Sequence, residues 1–278
     1  MSYSFKNKKS VFVLLFISIL YFGMAGIAQA QFVSASSDMA ISNLRFSSTD
    51  PRAELIWTDE WYGTVTAHAH DTDSGSADDF DELLGNDGFI DAQADTDHVY
   101  SEADYGVING DFVAIDPSGA IGATTHSDLL LTEKHKQADG FAFADFDNFF
   151  AIFGGNPGDL VEVTFELDYV GQLTGIADEL GFFEIDLGAL LSIDDLAGNV
   201  VMDDFIFDTH AGTNTSFHQD YIGTLTVTAE LMYEEEYWLF AAADSEVNGY
   251  TVPEPNILLL FASGLGFIGL RRSLANTL

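Results

Sequence analysis

The most acid-dense stretch of the sequence is a candidate loop for binding a cation. Counted from Asp71 as the first position of a twelve-residue loop, Asp73 lies at the third position. Asp79 then lies at the ninth position and Glu82 at the twelfth. An EF-hand loop supplies oxygen ligands to calcium from these positions, because this hard cation prefers carboxylates on a flexible turn. The spacing therefore indicates a candidate Ca²⁺ site, and the sequence establishes no cofactor with certainty.

Two departures from this pattern keep another interpretation open. A glycine stands at the fifth position of the loop, where an oxygen ligand is expected. A serine stands at the sixth, where glycine normally makes the bend. No pair of flanking helices is evident in the sequence. The alternative is an acidic loop that is solvated and binds nothing.

Two histidines form a second candidate site. His68 and His70 are two residues apart in a predicted strand, and residues with this spacing lie on the same face of a strand. Imidazole is a common ligand of transition metals, so the pair is a candidate metal site. No third histidine is close in the sequence, and surface histidines among acidic residues are the alternative interpretation.

Three neighbouring aromatic residues are candidates for contact with a sugar ring. Trp57, Trp61 and Tyr62 would form a platform if their rings were exposed together. Aromatic rings more often pack in a hydrophobic core, because each ring buries a large apolar area. The sequence alone leaves both interpretations open.

The sequence between its two ends contains no catalytic signature. It lacks cysteine, which excludes thiol catalysis and cysteine-based zinc sites. Residues 31–252 contain no Gly-x-Ser-x-Gly elbow, no His-Glu-x-x-His motif and no phosphate-binding loop. A glycosidase needs two carboxylates at a set separation, but so many are present that some pair always meets it. We therefore expect a protein that is not an enzyme.

The elements that must position these side chains are predicted to be β-strands. Apolar and polar residues alternate in residues 161–169 and again in residues 224–233, which places one side of each strand in a core. The inward residues of the two strands are Val161, Val163, Phe165, Leu167, Tyr169, Leu225, Val227, Ala229, Leu231 and Tyr233. Glycine, proline and asparagine mark turns between such segments.

This pattern predicts an all-β fold, an antiparallel β-sandwich with jelly-roll-like connections. Helical periodicity is weak, and only residues 78–84 and 145–153 are expected to form short helices. Residues 71–104 are acid-dense and poor in β-branched residues. We therefore expect them to form a long acidic loop outside the sandwich.

The net charge excludes one class of partner. Between Gln31 and Val252 the sequence holds 44 of its 45 acidic residues and only four basic ones, for a net charge near −40. We expect no binding to nucleic acid, because that requires Lys and Arg side chains to displace counterions from phosphates. An aromatic content of 13% still allows a packed core despite this charge.

The first 30 residues have the features of a secretory signal peptide. Their cationic start contains three lysines, Lys6, Lys8 and Lys9. Residues 11–27 are almost wholly apolar, and Ala28 and Ala30 are the small residues that signal peptidase requires before its cleavage site. We predict cleavage after Ala30 by signal peptidase and export of the remaining chain. An uncleaved membrane anchor is the alternative.

Residues 252–278 contain three parts in a fixed order. A carboxylate between two prolines comes first, the apolar residues 257–270 follow, and two arginines precede a six-residue stub. The residues of this motif are Pro253, Glu254, Pro255, Arg271 and Arg272. The apolar run is shorter than the roughly 20 residues of a typical membrane helix. It suits a single transmembrane helix that anchors the chain temporarily, with both arginines on the cytoplasmic side.

This arrangement resembles the PEP-CTERM sorting signal of exported bacterial proteins. In that family a membrane protease, exosortase, acts at the Pro-Glu-Pro region, which implies that exosortase is a partner of this chain. The body also resembles exosortase-dependent surface proteins, through residues 161–169, 177–186 and 237–246. The resemblance implies a Gram-negative bacterium that produces exopolysaccharide, and attachment of the chain to the inner membrane before processing.

The sequence thus predicts a signal peptide (residues 1–30), an acidic β-sandwich body (31–251) and a sorting segment with the membrane helix (252–278). We expect a non-enzymatic exported protein that exosortase processes. Its expected location is then the cell surface or the extracellular matrix, in association with the exopolysaccharide of a biofilm. The alternative function is a calcium-dependent carbohydrate-binding module.

Overall fold

Every regular element in the described part of the chain is a β-strand. The computed structural model describes residues 31–85, 88–108, 111–112, 122–133 and 136–252. Gln31–Val252 forms one compact unit. Within the described residues no helix is long and apolar enough to cross a bilayer. The predicted cleavage residues Ala28 and Ala30, and the predicted sorting motif from Pro253 to Arg272, lie outside the described residues.

The strands are numbered along the chain. The first seven are β1 (Val33–Ser48), β2 (Glu54–Trp57), β3 (Tyr62–Asp71), β4 (Gly75–Leu84), β5 (Gly88–Asp95), β6 (Val99–Ile108) and β7 (Asp111–Phe112). The next seven are β8 (Gly122–Leu131), β9 (Gln137–Phe153), β10 (Leu160–Ala177), β11 (Gly181–Asp195), β12 (Val200–Gly212), β13 (Thr215–Met232) and β14 (Glu236–Thr251). With 18 residues each, β10 and β13 are long for strands, so the sheets have large faces.

The strands form two antiparallel sheets of seven strands each. Sheet A has the order β13-β10-β1-β8-β6-β5, with β7 paired to β6. Sheet B has the order β12-β11-β14-β9-β3-β4, with β2 paired to β9. Strands of one sheet contact strands of the other, such as β1 with β14 and β8 with β9. Buried residues of both sheets form one hydrophobic cluster, so the expected all-β antiparallel sandwich is confirmed.

The alternation predicted for residues 161–169 and 224–233 is confirmed by the pairing of β10 with β13. Val163 lies opposite Ala229 and Phe165 lies opposite Val227, and all four side chains are buried. The residues between them on β13 face solvent. Successive side chains of a strand point to opposite faces, so a slip of one residue would expose this whole apolar set.

The prediction of a long acidic loop over residues 71–104 is wrong. These residues form the end of β3, all of β4 and β5, and the first half of β6. Their inward positions carry small residues, such as Ala92 on β5 and Ala103 on β6, which are buried. Alanine is depleted in strands and gives a weak apolar alternation, so this burial is hard to see in the sequence. The edge positions of β4 and β5 also tolerate exposed acidic side chains.

The short helices expected for residues 78–84 and 145–153 are also strands. The first range belongs to β4 and the second to β9. β9 pairs with β14 on one side and with β3 on the other, so the sheet uses its backbone hydrogen-bonding groups. Phe146 is buried and Asp145 is directed outward. The alternation is hidden because apolar residues such as Phe149 occupy outward positions as well.

Packing must stabilise the interior, because the chain has no cysteine and therefore no disulfide. Phe146 from sheet B and Phe165 and Tyr105 from sheet A are among the largest fully buried side chains. The rings of Tyr105 and Phe146 stack with their centroids 5.8 Å apart. Gly63 on β3 leaves room for this pair, since a Cβ at Gly63 would lie 2.2 Å from the Tyr105 ring.

Candidate functional site

The four carboxylates of the predicted calcium site are spread along a β-hairpin. Asp71 ends β3, and Asp73 lies in the turn that follows. Asp79 and Glu82 lie on β4, on opposite sides of the strand because they are three residues apart. Glu82 is seven residues beyond the start of β4, or roughly 23 Å along the strand from the turn. The hairpin thus separates residues that a loop would bring together.

Each of these carboxylates has a protein partner of its own. Asp71 is buried and accepts hydrogen bonds from the backbone N–H groups of Asp73 and Ser74, at 2.7 Å each, which closes the turn. The partners of the other three are the Lys136 ammonium for Asp73, the Gln93 backbone N–H for Asp79 and the Tyr62 hydroxyl for Glu82. Among the described residues, no group of three or more His, Asp or Glu side chains is placed to hold a metal ion.

His68 and His70 lie on the same outward side of β3, but their rings have separate contacts. Nδ1 of His68 lies 2.5 Å from Oδ1 of Asp78 on β4, and its Nε2 lies 3.6 Å from Oδ2 of Asp139 on β9. Nδ1 of His70 lies 3.1 Å from the backbone oxygen of Gly75. The two rings therefore connect β3 to its neighbouring strands and do not converge on one point.

The aromatic residues considered for sugar binding lie mainly in the core. Trp61 is only 1% exposed, and Trp57 packs against the core with its ring centroid 4.6 Å from that of Trp61. The Trp57 ring also lies 5.9 Å from that of Phe150. Tyr62 is half-buried and donates a hydrogen bond to Glu82 at 3.2 Å. The core interpretation is correct for Trp57 and Trp61, and the three rings do not form one exposed platform.

The outer side of sheet B carries a different group of aromatic and acidic side chains. Seven of them lie on the neighbouring strands β9, β14, β11 and β12, and we call this group the aromatic–acid face. Its members are Phe141, Phe143, Asp244, Glu246, Asp186, Phe205 and Phe207. The four strands are consecutive in the sheet, so the face spans three strand spacings, or roughly 14 Å.

The pairing register sets the order of the side chains across this face. Phe143 lies opposite Asp244, which in turn lies opposite Gly188. Gly188 lies opposite Phe207. The neighbouring row runs from Phe141 through Glu246 to Asp186. Aromatic rings therefore stand on both sides of a central strip of three carboxylates.

The two aromatic sides of the face differ in exposure. Phe205 and Phe207, on the edge strand β12, are 64% and 59% exposed. Phe141 and Phe143, on β9, are half-buried and stack with their centroids 6.2 Å apart and their planes at 14°. Neighbouring exposed aromatic rings form the kind of apolar patch that marks an interaction surface.

The three carboxylates of the face have no cationic partner among the described residues. The described Lys and Arg residues are Arg45, Arg52 and Lys136, and each forms its ion pairs elsewhere. Burial, followed by the charges of Asp186 and Glu246, raises the pKa of Asp244 to about 6. Oδ1 of Asp186 is buried and has no hydrogen-bond partner in the described structure. The face therefore holds negative charge that the body does not neutralise.

Gly188 makes room for the Asp244 carboxylate at the centre of the face. A Cβ at this position would lie 2.4 Å from Oδ1 of Asp244. Any other residue would therefore displace the Asp244 carboxylate. With glycine here, the Asp244 carboxylate lies over β11, and Phe207 is the next side chain across the face.

The outer side of sheet A contains a histidine held between two carboxylates. Nδ1 of His126 lies 2.5 Å from Oδ1 of Asp38 on β1, and its Nε2 lies 2.9 Å from Oδ2 of Asp128 on β8. Hydrogen bonds to Asp128 and then to Asp38 raise the pKa of His126 to about 10, although burial acts against its charge. Burial opposes the ionisation of Asp128, but the contact with His126 outweighs this and lowers the pKa of Asp128. We call this group the His126 clamp.

A shallow pocket of about 370 Å³ lies beside the His126 clamp. It is lined by the turn between β5 and β6, by the end of β8 and by Ser34 of β1. Within the turn, Nδ1 of His98 lies 3.7 Å from Oδ2 of Asp71. The pocket wall includes Asp128, which already contacts His126, so the pocket lining is continuous with the clamp.

Comparisons with known proteins do not assign this chain to a family. No family model matches it, and no curated protein is similar to it. Among solved structures, a viral particle of infectious bursal disease virus matches at 10% identity and a TM-score of 0.10, over 80% of this chain and 60% of that chain. A subviral particle of the same virus matches at 12% identity and a TM-score of 0.10, over 81% and 63%. The chain spans less than two thirds of these viral chains, and scores this low carry no argument about fold or function.

Sequence reasoning did not identify the aromatic–acid face. Residues 141–144 read Phe-Ala-Phe-Ala, so both sides of the strand look apolar, as in a strand buried on both faces. In the structure Ala142 and Ala144 are the fully buried residues, and the phenylalanines point outward. An alternation of large apolar residues with alanine is the signal that could have identified this face.

Proposed function

We propose that this chain is a non-enzymatic exported protein of the cell surface or extracellular matrix, whose jelly-roll-like β-sandwich associates with exopolysaccharide. The observation that carries the proposal is the order of the C-terminal motif, a Pro-Glu-Pro element, an apolar run and two arginines. This order is similar to that of PEP-CTERM sorting signals. The motif specifies the destination, and the body supplies the binding surface.

The proposed route has two processing steps. Signal peptidase cleaves after Ala30, and the apolar residues 257–270 then hold the chain in the inner membrane. Arg271 and Arg272 stop transfer through the membrane on the cytoplasmic side. Exosortase then processes the chain at the Pro-Glu-Pro element, and the body is delivered to the outside.

The described body supports a binding role at that destination. Phe205 and Phe207 are exposed on a sheet face where an extended polymer could lie without entering a cleft. Aromatic rings offer a large rigid contact area for the apolar face of a sugar ring. The acidic strip between the rings adds polar groups that can fix orientation. This combination favours association with a polysaccharide.

The sorting step can be tested in a bacterium that has an exosortase and produces exopolysaccharide. Replacing both Arg271 and Arg272 by alanine removes the cytoplasmic stop, so we expect less membrane-held precursor and less processed protein outside the cell. Replacing Asn276 and Thr277 by alanine is the matched control, since it changes two residues of the terminal stub without changing charge. Cell fractionation and mass spectrometry of the protein termini are the measurements. Identical processing in both variants, or in a strain without exosortase, would contradict the proposal.

The matrix association can be tested on exopolysaccharide from the same bacterium. We expect the processed protein to sediment with the polymer and to be released by high salt, because exposed charges are screened. We expect no new reducing ends in the polymer after incubation. Recovery of the protein only in the unbound fraction would contradict the binding role, and release of reducing ends would show an enzyme.

A further inference from the structure

We infer that the aromatic–acid face binds a polysaccharide with free amino groups, that is, a linear amino-sugar polymer in its deacetylated form. The inference rests on the proposed association with exopolysaccharide and names the chemical class of that polymer. A protonated amino-sugar unit presents an ammonium group next to an apolar ring face. The face offers a partner for each, carboxylates for the ammonium group and aromatic rings for the sugar ring.

The spacing of the face fits a polymer that crosses the strands. The row from Phe143 through Asp244 to Phe207 covers four consecutive strands, about 4.8 Å apart. A chain laid along this row would meet the Phe143 ring, then the Asp244 carboxylate, which lies over Gly188, and then the Phe207 ring. Repeating apolar and cationic groups along one polymer match this order.

Charge decides between the classes of polysaccharide. A polymer of uronic acids carries carboxylates, and a body with a net charge near −40 repels it. A neutral polymer would use the aromatic rings but would leave Asp186, Asp244 and Glu246 without a cation. A polymer with ammonium groups neutralises these carboxylates, and none of the described Lys or Arg residues competes for them.

The protonation of Asp244 supports the same conclusion. Burial and the charges of Asp186 and Glu246 raise its pKa to about 6, so part of its population is protonated near that pH. An ammonium group at this position favours the ionised carboxylate and lowers the pKa. Near pH 6 the Asp244 carboxyl itself should therefore release protons on binding, which stacking alone does not produce.

Small divalent cations are the competing occupants of an acidic surface. The described residues offer no group of three His, Asp or Glu side chains that could coordinate one ion. Calcium could only screen the face, and screening does not depend on an aromatic ring. Dependence on Phe207 therefore distinguishes the polymer from calcium.

The test is isothermal titration calorimetry on the full chain, purified in a mild detergent. The probes are a glucosamine hexamer, an N-acetylglucosamine hexamer and a galacturonate hexamer. We expect the glucosamine hexamer to bind, and the other two to bind at least about tenfold more weakly or not at all. At pH 6, binding heats in two buffers of different ionisation enthalpy should show more proton release on binding for the wild type than for Asp244→Asn.

Two variants of the face and two matched controls locate the binding. Asp244→Asn and Phe207→Ala should each weaken binding of the glucosamine hexamer by about tenfold, since each removes one kind of contact. Asp220→Asn makes the same charge change on the outer side of sheet A, and Ile222→Ala removes an 83% exposed apolar side chain there. Both controls should bind normally. Melting temperatures of all four variants check that each one folds.

Three results would overturn the inference. These are binding of the acetylated or uronic acid hexamer as tight as that of the glucosamine hexamer, an equal loss of binding in the controls, and binding of the glucosamine hexamer that Phe207→Ala leaves unchanged. A chain that sediments with exopolysaccharide but does not bind the glucosamine hexamer would refute this inference and leave the proposed function intact. A chain that binds the hexamer but is absent from the matrix would refute the proposed function and leave the chemistry of the face intact.

Discussion

The replacement His126→Asn should lower the stability of the body, and the loss should depend on pH. The imidazolium of His126 bridges Asp38 on β1 and Asp128 on β8. Asparagine keeps a hydrogen-bonding group of similar size but carries no charge. Asp38 and Asp128 are diagonal neighbours across β1 and β8, and without the imidazolium these like charges would repel each other with no cation between them.

The size of the expected loss of stability follows from the pKa of His126 and from the exposure of the three side chains of the clamp. A pKa of about 10, against the ordinary 6.5, corresponds to roughly 5 kcal/mol at about 1.4 kcal/mol per pH unit for a fully enclosed pair. The clamp is not enclosed, because the side chains of His126, Asp38 and Asp128 are 31%, 43% and 52% exposed. Exposed ion pairs contribute up to about 1 kcal/mol each. With two such pairs, we expect a loss of about 1 to 2 kcal/mol.

The direction of the pH dependence follows from linkage. The folded pKa of His126 is raised, so its contribution is fully present below about pH 6.5 and is lost as the pH rises through about 10. The folded pKa of Asp128 is lowered, so its contribution is present above its ordinary value and is lost as the pH falls through the folded value. The difference between wild type and His126→Asn should be largest near pH 6 and should shrink toward pH 10.

Urea unfolding at pH 6 and at pH 10, followed by tryptophan fluorescence, measures this difference. His218→Asn is the matched control, because His218 lies on the same side of sheet A but is 57% exposed, with its Nε2 3.5 Å from Asp220. We expect the control to change the free energy of unfolding by less than about 0.5 kcal/mol at both pH values. The reasoning is refuted if His126→Asn lowers the free energy of unfolding by no more than the control does. It is also refuted if the loss is the same at pH 6 and at pH 10.

Three further changes test the packing, the face and the ion pairs. Gly63→Ala should destabilise the body by about 1 to 3 kcal/mol, since its Cβ would overlap the buried ring of Tyr105; an unchanged melting temperature would contradict the stack. Asp244→Asn should stabilise the body by about 1 kcal/mol at pH 7 and have little effect at pH 4. Because the pKa of this carboxyl is raised, the folded wild type loses stability as the pH rises from about 4 to about 6. Urea unfolding measures the difference, and a variant less stable than the wild type at pH 7 would contradict the prediction. Arg45→Ala should cost about 1 kcal/mol, because it breaks a bidentate pair with Asp168, and high salt should reduce the difference; a loss that high salt does not change would exclude the ion pair as its cause.

The parts of the fold that the sequence predicts are those with a large contrast between the two sides of a strand. In β10 and β13, Val, Leu and Phe face inward while Thr and Glu face outward. This alternation of apolar and polar residues is enough to recognise the strand in the sequence. In β5 and β6 the inward residues include Ala92, Ala94 and Ala103, which are small enough to be buried in any fold. The same two-residue alternation is present there, but the difference in hydrophobicity between the two sides of the strand is too small to recognise.

The four predicted calcium ligands do not converge in the structure, because their prediction depended on a loop. A spacing of three, nine and twelve positions brings carboxylates together only if the chain curls around a centre. In the hairpin, Asp71 begins a turn that ends at Gly75, whose φ of 93° is available mainly to glycine. The chain then runs straight along β4 and carries Asp79 and Glu82 away from the turn. Only the strand pairing contains this information.

The aromatic–acid face follows from how this chain uses its few cations. Arg52 pairs with Asp50 in a turn, and Arg45 links β1 to β10 at a register shift. Lys136, just before β9, pairs with Asp73 in the turn after β3 and with Glu133. The described Lys and Arg residues therefore pair in turns or within sheet A, and none of them pairs with a carboxylate of the aromatic–acid face. Burial and the other two carboxylates oppose the ionisation of Asp244, which costs stability in the absence of an outside cation. Neutralising Asp244 should then raise stability while it lowers affinity for an amino-sugar polymer. A residue with only a structural role would not move these two properties in opposite directions.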